Sequence, residues 1–337
     1  MGMVRYILAI AVVIAHFNLL AGFDIPFPIS SYMGVGGFFS LSGFLIYGSY
    51  LKKRNVGAYV KSRAVRLMPA YVTTILIFAL GFSLISSLGV TAYFTSPQFW
   101  KYLVSNLCML NFIQPTLPGV FDGFEIQAVN GSLWTMKVEW LLYLSVPLTA
   151  WIVAKCKGRI TVIFVVIYIF SILYRIIFRE LYIATEKTAY DILGRQFFGQ
   201  LSYFYSGALV YCWFDVFKKY RWQLALIAVL SLLYTGKAGY YDIIVHPLAF
   251  SILVIWLSMT GKWGTWEGKK DNVSYNIYLL HFPVIQLGCW LGLQSWGCWG
   301  MFGAVLTVTV ILSLLINWLV EKPIQKRFRK HSASPRR

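Results

Sequence analysis

The chain has 337 residues, 58% of them hydrophobic and only 12% charged, with a formal net charge of +18. Soluble domains carry about 25% charged residues, so this composition cannot cover a water-facing globule and excludes one. The basic residues sit in short clusters between apolar runs, the pattern of cytoplasmic loops. That excludes a nucleic-acid surface and makes anionic lipids and anionic cofactors the natural partners.

Apolar runs of about 20 residues, each long enough to cross a bilayer as a helix, recur from end to end. Ten spans are predicted, over residues 4–21, 31–50, 68–88, 132–153, 160–178, 197–215, 222–236, 240–259, 273–292 and 299–319. The expected fold is an all-α polytopic integral membrane protein with cytoplasmic N- and C-termini. It comprises a single transmembrane domain over 1–321 and a basic cytoplasmic tail over 322–337. Residues 97–113 are apolar but interrupted by Lys101, Asn106 and Asn111, so they are read as an amphipathic or re-entrant piece on the outer side.

The first run is read as a span and not as a cleaved leader, because Asp24-Ile25-Pro26 follows it and no small-residue cleavage site does. Arg5 marks its inner end, an ordinary basic anchor. His16 lies toward its outer end, and a histidine can hold or accept a proton near neutral pH. Either an interfacial histidine or a general base fits that position.

The second run carries Gly34-Val35-Gly36-Gly37 and then Ser40-Leu41-Ser42-Gly43. Such small residues permit close helix approach. Arg63 and Arg66, before the third span, are one helical turn apart and share a face. Guanidinium forks suit phosphate oxygens, of a nucleotide-bearing donor or of lipid headgroups.

Two long outer loops follow, 89–131 and 179–196, which either bind a substrate or only cover helix ends. Glu139 lies about two turns inside its span, where a carboxylate either orients a histidine, binds a sugar hydroxyl or pairs with Lys137. His246 precedes Pro247 and is read as part of a kink. His281, with Tyr278 three residues earlier on the same face, lies near mid-membrane and implies a polar pocket or a helix-packing bond. Glu321 is read as structural.

With the N-terminus inside, twenty-three of the 30 Lys and Arg residues fall on inner segments. Most outer acidic residues fall opposite them. The five cysteines, at 108, 156, 212, 289 and 298, show no metal-ligand spacing, and Cys289 and Cys298 flank one outer loop. No metal is expected. No nucleophile elbow, HExxH, dinucleotide glycine pattern or P-loop is present.

Taken together, these segments resemble the acyltransferase family 3 membrane proteins, bacterial O-acetyltransferases that modify polysaccharides. The resemblance rests on six stretches in order: Arg5 through His16; Gly34 through Ile46; Lys61 through Tyr71; Ser132-Leu133-Trp134 through Glu139, with Tyr143 and Pro147; Ser274-Tyr275 through His281-Phe282-Pro283; and Glu321-Lys322-Pro323. The chain departs from the family pattern at Tyr6-Ile7, where an Asp-Gly pair is common, and at Gly37, where an acidic residue is.

The resemblance implies a multi-pass protein of the bacterial cytoplasmic membrane. Its activity would move an acyl group, expected to be acetyl, from acetyl-CoA or another short-chain acyl-CoA to a hydroxyl of an exopolysaccharide, O-antigen or other envelope glycan. It implies His16 as the catalytic histidine, with Glu139 and His281 beside it. Arg63 and Arg66, with Arg5 and Tyr71, would hold the donor. The acceptor would be a glycan or lipid-linked sugar. The rival readings are a transporter or flippase for lipid-linked glycan, and an O-acyltransferase acting on a non-glycan acceptor.

Overall fold

A computed structural model describes residues 2–234, 239–260 and 273–333. The basic residues Lys262, Lys269, Lys270, Arg336 and Arg337, expected on inner segments, lie outside the described residues, as does the end of the span expected over 222–236. Among the described residues there is no strand.

The helices are α1 (Gly2–Ala21), α2 (Ser31–Lys53), α3 (Val56–Gly81), α4 (Val90–Thr95), α5 (Pro97–Leu107), α6 (Trp134–Lys155), α7 (Ile160–Thr185) and α8 (Thr188–Gly194). They continue as α9 (Phe197–Cys212), α10 (Phe214–Lys219), α11 (Arg221–Leu233), α12 (Tyr241–Ile244), α13 (His246–Met259), α14 (Ser274–Trp290), α15 (Gly297–Ile316) and α16 (Lys322–Ala333).

Among the described residues, five helical stretches are long and apolar enough to cross a membrane: Gly2–Ala21, Val56–Leu84, Gly131–Lys155, Ile160–Thr185 and Leu293–Phe328. Much of their apolar surface faces outward. On α7 the exposed side chains include Val162, Val166, Ile169, Leu173 and Ile177. Soluble monomers do not leave such stripes bare, whereas lipid covers them at no cost, so the chain is a multi-pass membrane protein.

Several segments are more helical than their sequence suggested. The third span begins twelve residues early, so Arg63 and Arg66 ride on α3 itself. Residues 179–196, expected as a loop, are an extension of α7 followed by α8. Residues 97–107 form an amphipathic helix, capped by the Ser96 hydroxyl with Pro97 in its first turn. The span expected over 240–259 is interrupted at Val245, between α12 and α13, and His246 and Pro247 form the first turn of α13, where proline is tolerated because no helical donor is needed. The tail over 322–333 is helix, joined to α15 through a π-helical turn at Asn317–Glu321.

The chain divides into two compact units. The first comprises Met1–Leu8, Tyr32–Val60 and Val138–Lys270. Its core is the crossing of α2 on α9, where glycines let backbones touch. A Cβ at Gly43 would sit 1.8 Å from the Phe204 carbonyl oxygen, and one at Gly207 would sit 1.9 Å from that of Ser40. This is the close approach that the small residues of α2 suggested. Buried hydroxyls seal the crossing: Ser40 and Ser251 share a bond of 2.7 Å, and Tyr203 meets His246 Nδ1 at 2.9 Å.

The second unit comprises Ala9–Ser31, Lys61–Lys137 and Asp271–Arg337. Its axis is α14, in which every residue but Tyr275, Leu287 and Trp290 is buried. A helix enclosed on all sides must satisfy its polar groups internally. The segment after α5 is held by its own bonds, from Asn106 Nδ2 to the Gln114 carbonyl and from the Val129 amide to the Pro115 carbonyl.

Candidate active site

Two of the candidate histidines meet in the second unit. His16 Nδ1 and His281 Nε2 are 2.8 Å apart. His281 is fully buried and His16 half-buried. Phe282 closes one side, its ring edge-on to His16 at 5.2 Å, and the Tyr278 ring lies 5.8 Å from that of His281.

The hydrogen-bond network fixes which nitrogens carry protons. His281 Nδ1 faces the Ile277 carbonyl at 3.2 Å, and a carbonyl only accepts. Nδ1 of a neutral His281 therefore holds the hydrogen and Nε2 is bare. Nε2 then accepts from His16 Nδ1–H, which leaves His16 Nε2 with a free lone pair. Among the described residues that nitrogen has no hydrogen-bond partner. A chain of carbonyl, histidine and histidine thus presents one basic atom, and the inner ring orients the outer one.

His281 stands beside a deliberate break. Pro283 has no amide hydrogen, so the Leu279 carbonyl, four residues earlier, loses its helical donor. Asn130 Nδ2 supplies the replacement at 2.8 Å. Asn130 Oδ1 accepts from both the amide and the hydroxyl of Ser132. Thr135 and the Tyr278 hydroxyl share a further bond of 2.9 Å. Gly131 is small because a Cβ there would lie 2.7 Å from the Phe282 ring. The Asn-Gly-Ser entry to α6 is therefore the brace of α14 at the site.

Arg63, Arg66 and Tyr71 lie on α3 in the same unit. Arg63 is half-buried, with Nε donating to Ser62 Oγ at 3.3 Å, and Arg66 is exposed. The Tyr275 hydroxyl donates to the Leu67 carbonyl at 3.1 Å, so α14 begins against α3 one residue from Arg66. From Tyr275 to His281 is six residues, about 9 Å along the axis. The Tyr71 hydroxyl is committed to the Asn106 carbonyl at 2.6 Å, which ties α3 to α5.

Glu321 is less peripheral than its sequence position suggests. It is buried, accepts from Asn276 Nδ2 at 2.9 Å and from Asn317 Nδ2 at 3.1 Å, and lies within electrostatic reach of Arg66. Past the histidines, Leu19, Leu20, Phe124, Glu125, Gln286 and Gln294 border a cavity of about 250 Å³. Gln286 Nε2 holds the segment before α6 against it, donating to the Ile126 and Ala128 carbonyls.

Arg5 and Glu139 belong to the first unit, where both are half-buried. The Tyr143 hydroxyl, one turn on, donates to Glu139, and Lys137 instead lies over the Phe112 ring in the second unit. Cys289 and Cys298 are free thiols.

Comparison with known proteins bears on what this arrangement is for. The acyltransferase domain family matches residues 1–318. The chain is 24% identical over 318 residues to nodulation protein 10 of Rhizobium leguminosarum bv. viciae, covering 90% of this chain and 84% of that protein. It is 25% identical over 293 residues to the O-acetyl transferase of Shigella phage Sf6, covering 84% and 83%. No solved structure matches. With nearly its whole length matched, the chain belongs to the acyltransferase domain family.

Proposed function

We propose that this protein is a membrane O-acyltransferase of the bacterial cytoplasmic membrane. It moves an acetyl group from acetyl-CoA, or another short acyl group from its CoA thioester, to a hydroxyl of an envelope glycan or lipid-linked sugar. The name of the phage relative supports acetyl transfer to oxygen. The observation that carries the mechanism is the His16–His281 contact at 2.8 Å with its tautomers set by the Ile277 carbonyl.

In this reading His16 Nε2 takes the proton of the acceptor hydroxyl as its oxygen attacks the thioester carbonyl. The C–O bond forms, the C–S bond breaks, and the leaving thiolate recovers the proton from His16. His281 touches His16 and not the substrate, so it is a positioning residue. Arg63 and Arg66 hold donor phosphates at the start of α3, and Tyr71 shapes the wall beside them. Arg5 and Glu139, in the first unit, are the further polar residues to which the family resemblance gives a part in the reaction. The acceptor enters by the cavity past His16, where Glu125, Gln286 and Gln294 offer hydrogen bonds to sugar hydroxyls.

This reading is paired with ten spans, both termini in the cytoplasm and a tail over 322–337 against anionic headgroups. That orientation brings Arg63 and Arg66 to the side where acyl-CoA is found.

The test is transfer itself. Protein in lipid nanodiscs is incubated with radiolabelled acetyl-CoA, with and without extracted envelope glycan, beside His16→Ala. Label should enter the glycan and vanish from it in the variant. Absence of thioester consumption across short acyl donors and candidate acceptors would overturn the reading in favour of transport.

A further inference from the structure

We propose that the first unit carries a second site, one that binds a phosphate group borne by a sugar or by a lipid headgroup. It is the cavity of about 360 Å³ at the C-terminal end of α7, bordered by Arg175, Arg179, Arg195, Tyr32, Tyr182 and Tyr190. That volume falls within the range of small-ligand pockets, about 300–1,000 Å³.

The charge there is unbalanced by construction. Arg175 and Arg179 are four residues apart on α7 and share a face, an arrangement that repels in a bare helix. Asp191 is the carboxylate bordering the cavity and it pairs with Arg195. Among the described residues, neither Arg175 nor Arg179 pairs with a carboxylate. Asp242 acts on His246, and Glu180 is bonded by the Tyr240 hydroxyl. Three arginines against one aspartate leave the cavity an excess of two positive charges.

The partners these arginines do have are neutral and directional. Arg175 Nη1 donates to the Ile243 carbonyl at 3.4 Å, and its guanidinium lies 5.4 Å from the Tyr32 ring and 5.8 Å from that of Tyr203. Arg179 Nη1 donates to the Gly239 carbonyl at 3.0 Å and lies over Tyr240 at 5.3 Å. Such contacts aim the guanidinium forks without cancelling their charge, which is what a phosphate-binding pair needs. Tyr182 and Tyr190 add ring faces and hydroxyls suited to the body of a sugar.

The position of the cluster argues the same way. The other end of α7 follows Lys155, Lys157 and Arg159, the basic group expected on the inner side. Arginines at the opposite end run against the positive-inside preference, so membrane topology does not account for them.

The experiment measures binding alone, so its failure leaves the acyltransfer reading standing. Full-length protein in maltoside detergent, which brings no phosphate, is titrated with glucose 1-phosphate, glucose or a short-chain phosphatidylglycerol, and thermal unfolding is followed. At least one phosphate probe should raise the unfolding midpoint where glucose does not. Response to the sugar phosphate identifies a sugar source, and response to the lipid alone a headgroup source. Arg179→Gln and Arg195→Gln should each weaken that probe about tenfold or more. Lys218→Gln, in the same unit but outside the cavity, should not. A poorly folding Arg179→Gln is replaced by Arg179→Lys, which keeps charge and loses the fork. Phosphate probes no better than glucose, or affinities that survive the arginine variants, would overturn the proposal.

Discussion

The side chain of Asn130 does the hydrogen bonding that Pro283 removes from its own helix. Its amide reaches the Leu279 carbonyl at 2.8 Å, the position four residues before the proline. The break in α14 falls two residues past His281, so the brace and the candidate site are one construction.

Removing the brace should therefore cost stability in a way the proline controls. Asn130→Ala strands a buried carbonyl, worth about 1–3 kcal/mol. In a Pro283→Ala background the new amide can serve Leu279, and the same Asn130→Ala change should cost markedly less. Part of the loss should persist, because Asn130 also accepts from Ser132. Thermal unfolding of the four proteins in detergent gives the coupling. Equal losses in both backgrounds would show that the amide is not replacing the proline's missing donor.

How much of this could be read from the residues alone differs by element. The long apolar runs of α1 and α7 announced themselves, because a bilayer demands length and hydropathy. His16 and His281 were conspicuous as ionisable groups in apolar surroundings, but their contact joins residues far apart in the chain, which no local pattern encodes. The helical start of α3 was missed because charged residues there looked like a loop. Asn130 belongs to no motif that marks it; Pro283, calling for a donor, was the signal that could have found its partner. Arg175, Arg179 and Arg195 carry no motif that marks them in the sequence, because the cavity they border is made only when α8 folds back against α7.

The two histidines should fail unequally. His16→Ala removes the base and should lower kcat by about 10²- to 10⁴-fold. His281→Ala leaves the base present but unaligned, and should lower kcat about 10- to 100-fold with little change in the acyl-CoA KM. Because both act through one nitrogen, the double variant should be no slower than His16→Ala. Steady-state transfer in nanodiscs measures all three. Multiplicative losses would mean that His281 has a role of its own.

Arg63→Gln and Arg66→Gln should raise the KM for acyl-CoA, roughly 10-fold or more for each charge-assisted bond lost. The same changes should leave the KM for an acyl-pantetheine almost unmoved, because that donor carries no phosphate. Arg66→Gln should also shift thermal unfolding, since Arg66 acts on buried Glu321. A KM increase that is equal for both donors would assign the arginines to something other than phosphate.

The α2–α9 crossing predicts where a single methyl is intolerable. At Gly43 the added carbon would meet the Phe204 carbonyl oxygen at 1.8 Å, and a backbone oxygen on a packed helix cannot swing aside as a side chain can. The helices would have to separate, straining the Ser40–Ser251 and Tyr203–His246 bonds that tie α2 and α9 each to α13. Overpacking of this kind costs about 1–3 kcal/mol, and more where buried hydroxyls lose partners. Gly81→Ala makes the control, because a Cβ there meets nothing within 4 Å. Thermal unfolding should fall sharply for Gly43→Ala and stay level for Gly81→Ala. Equal stability of the two would mean that α2 and α9 do not cross in contact.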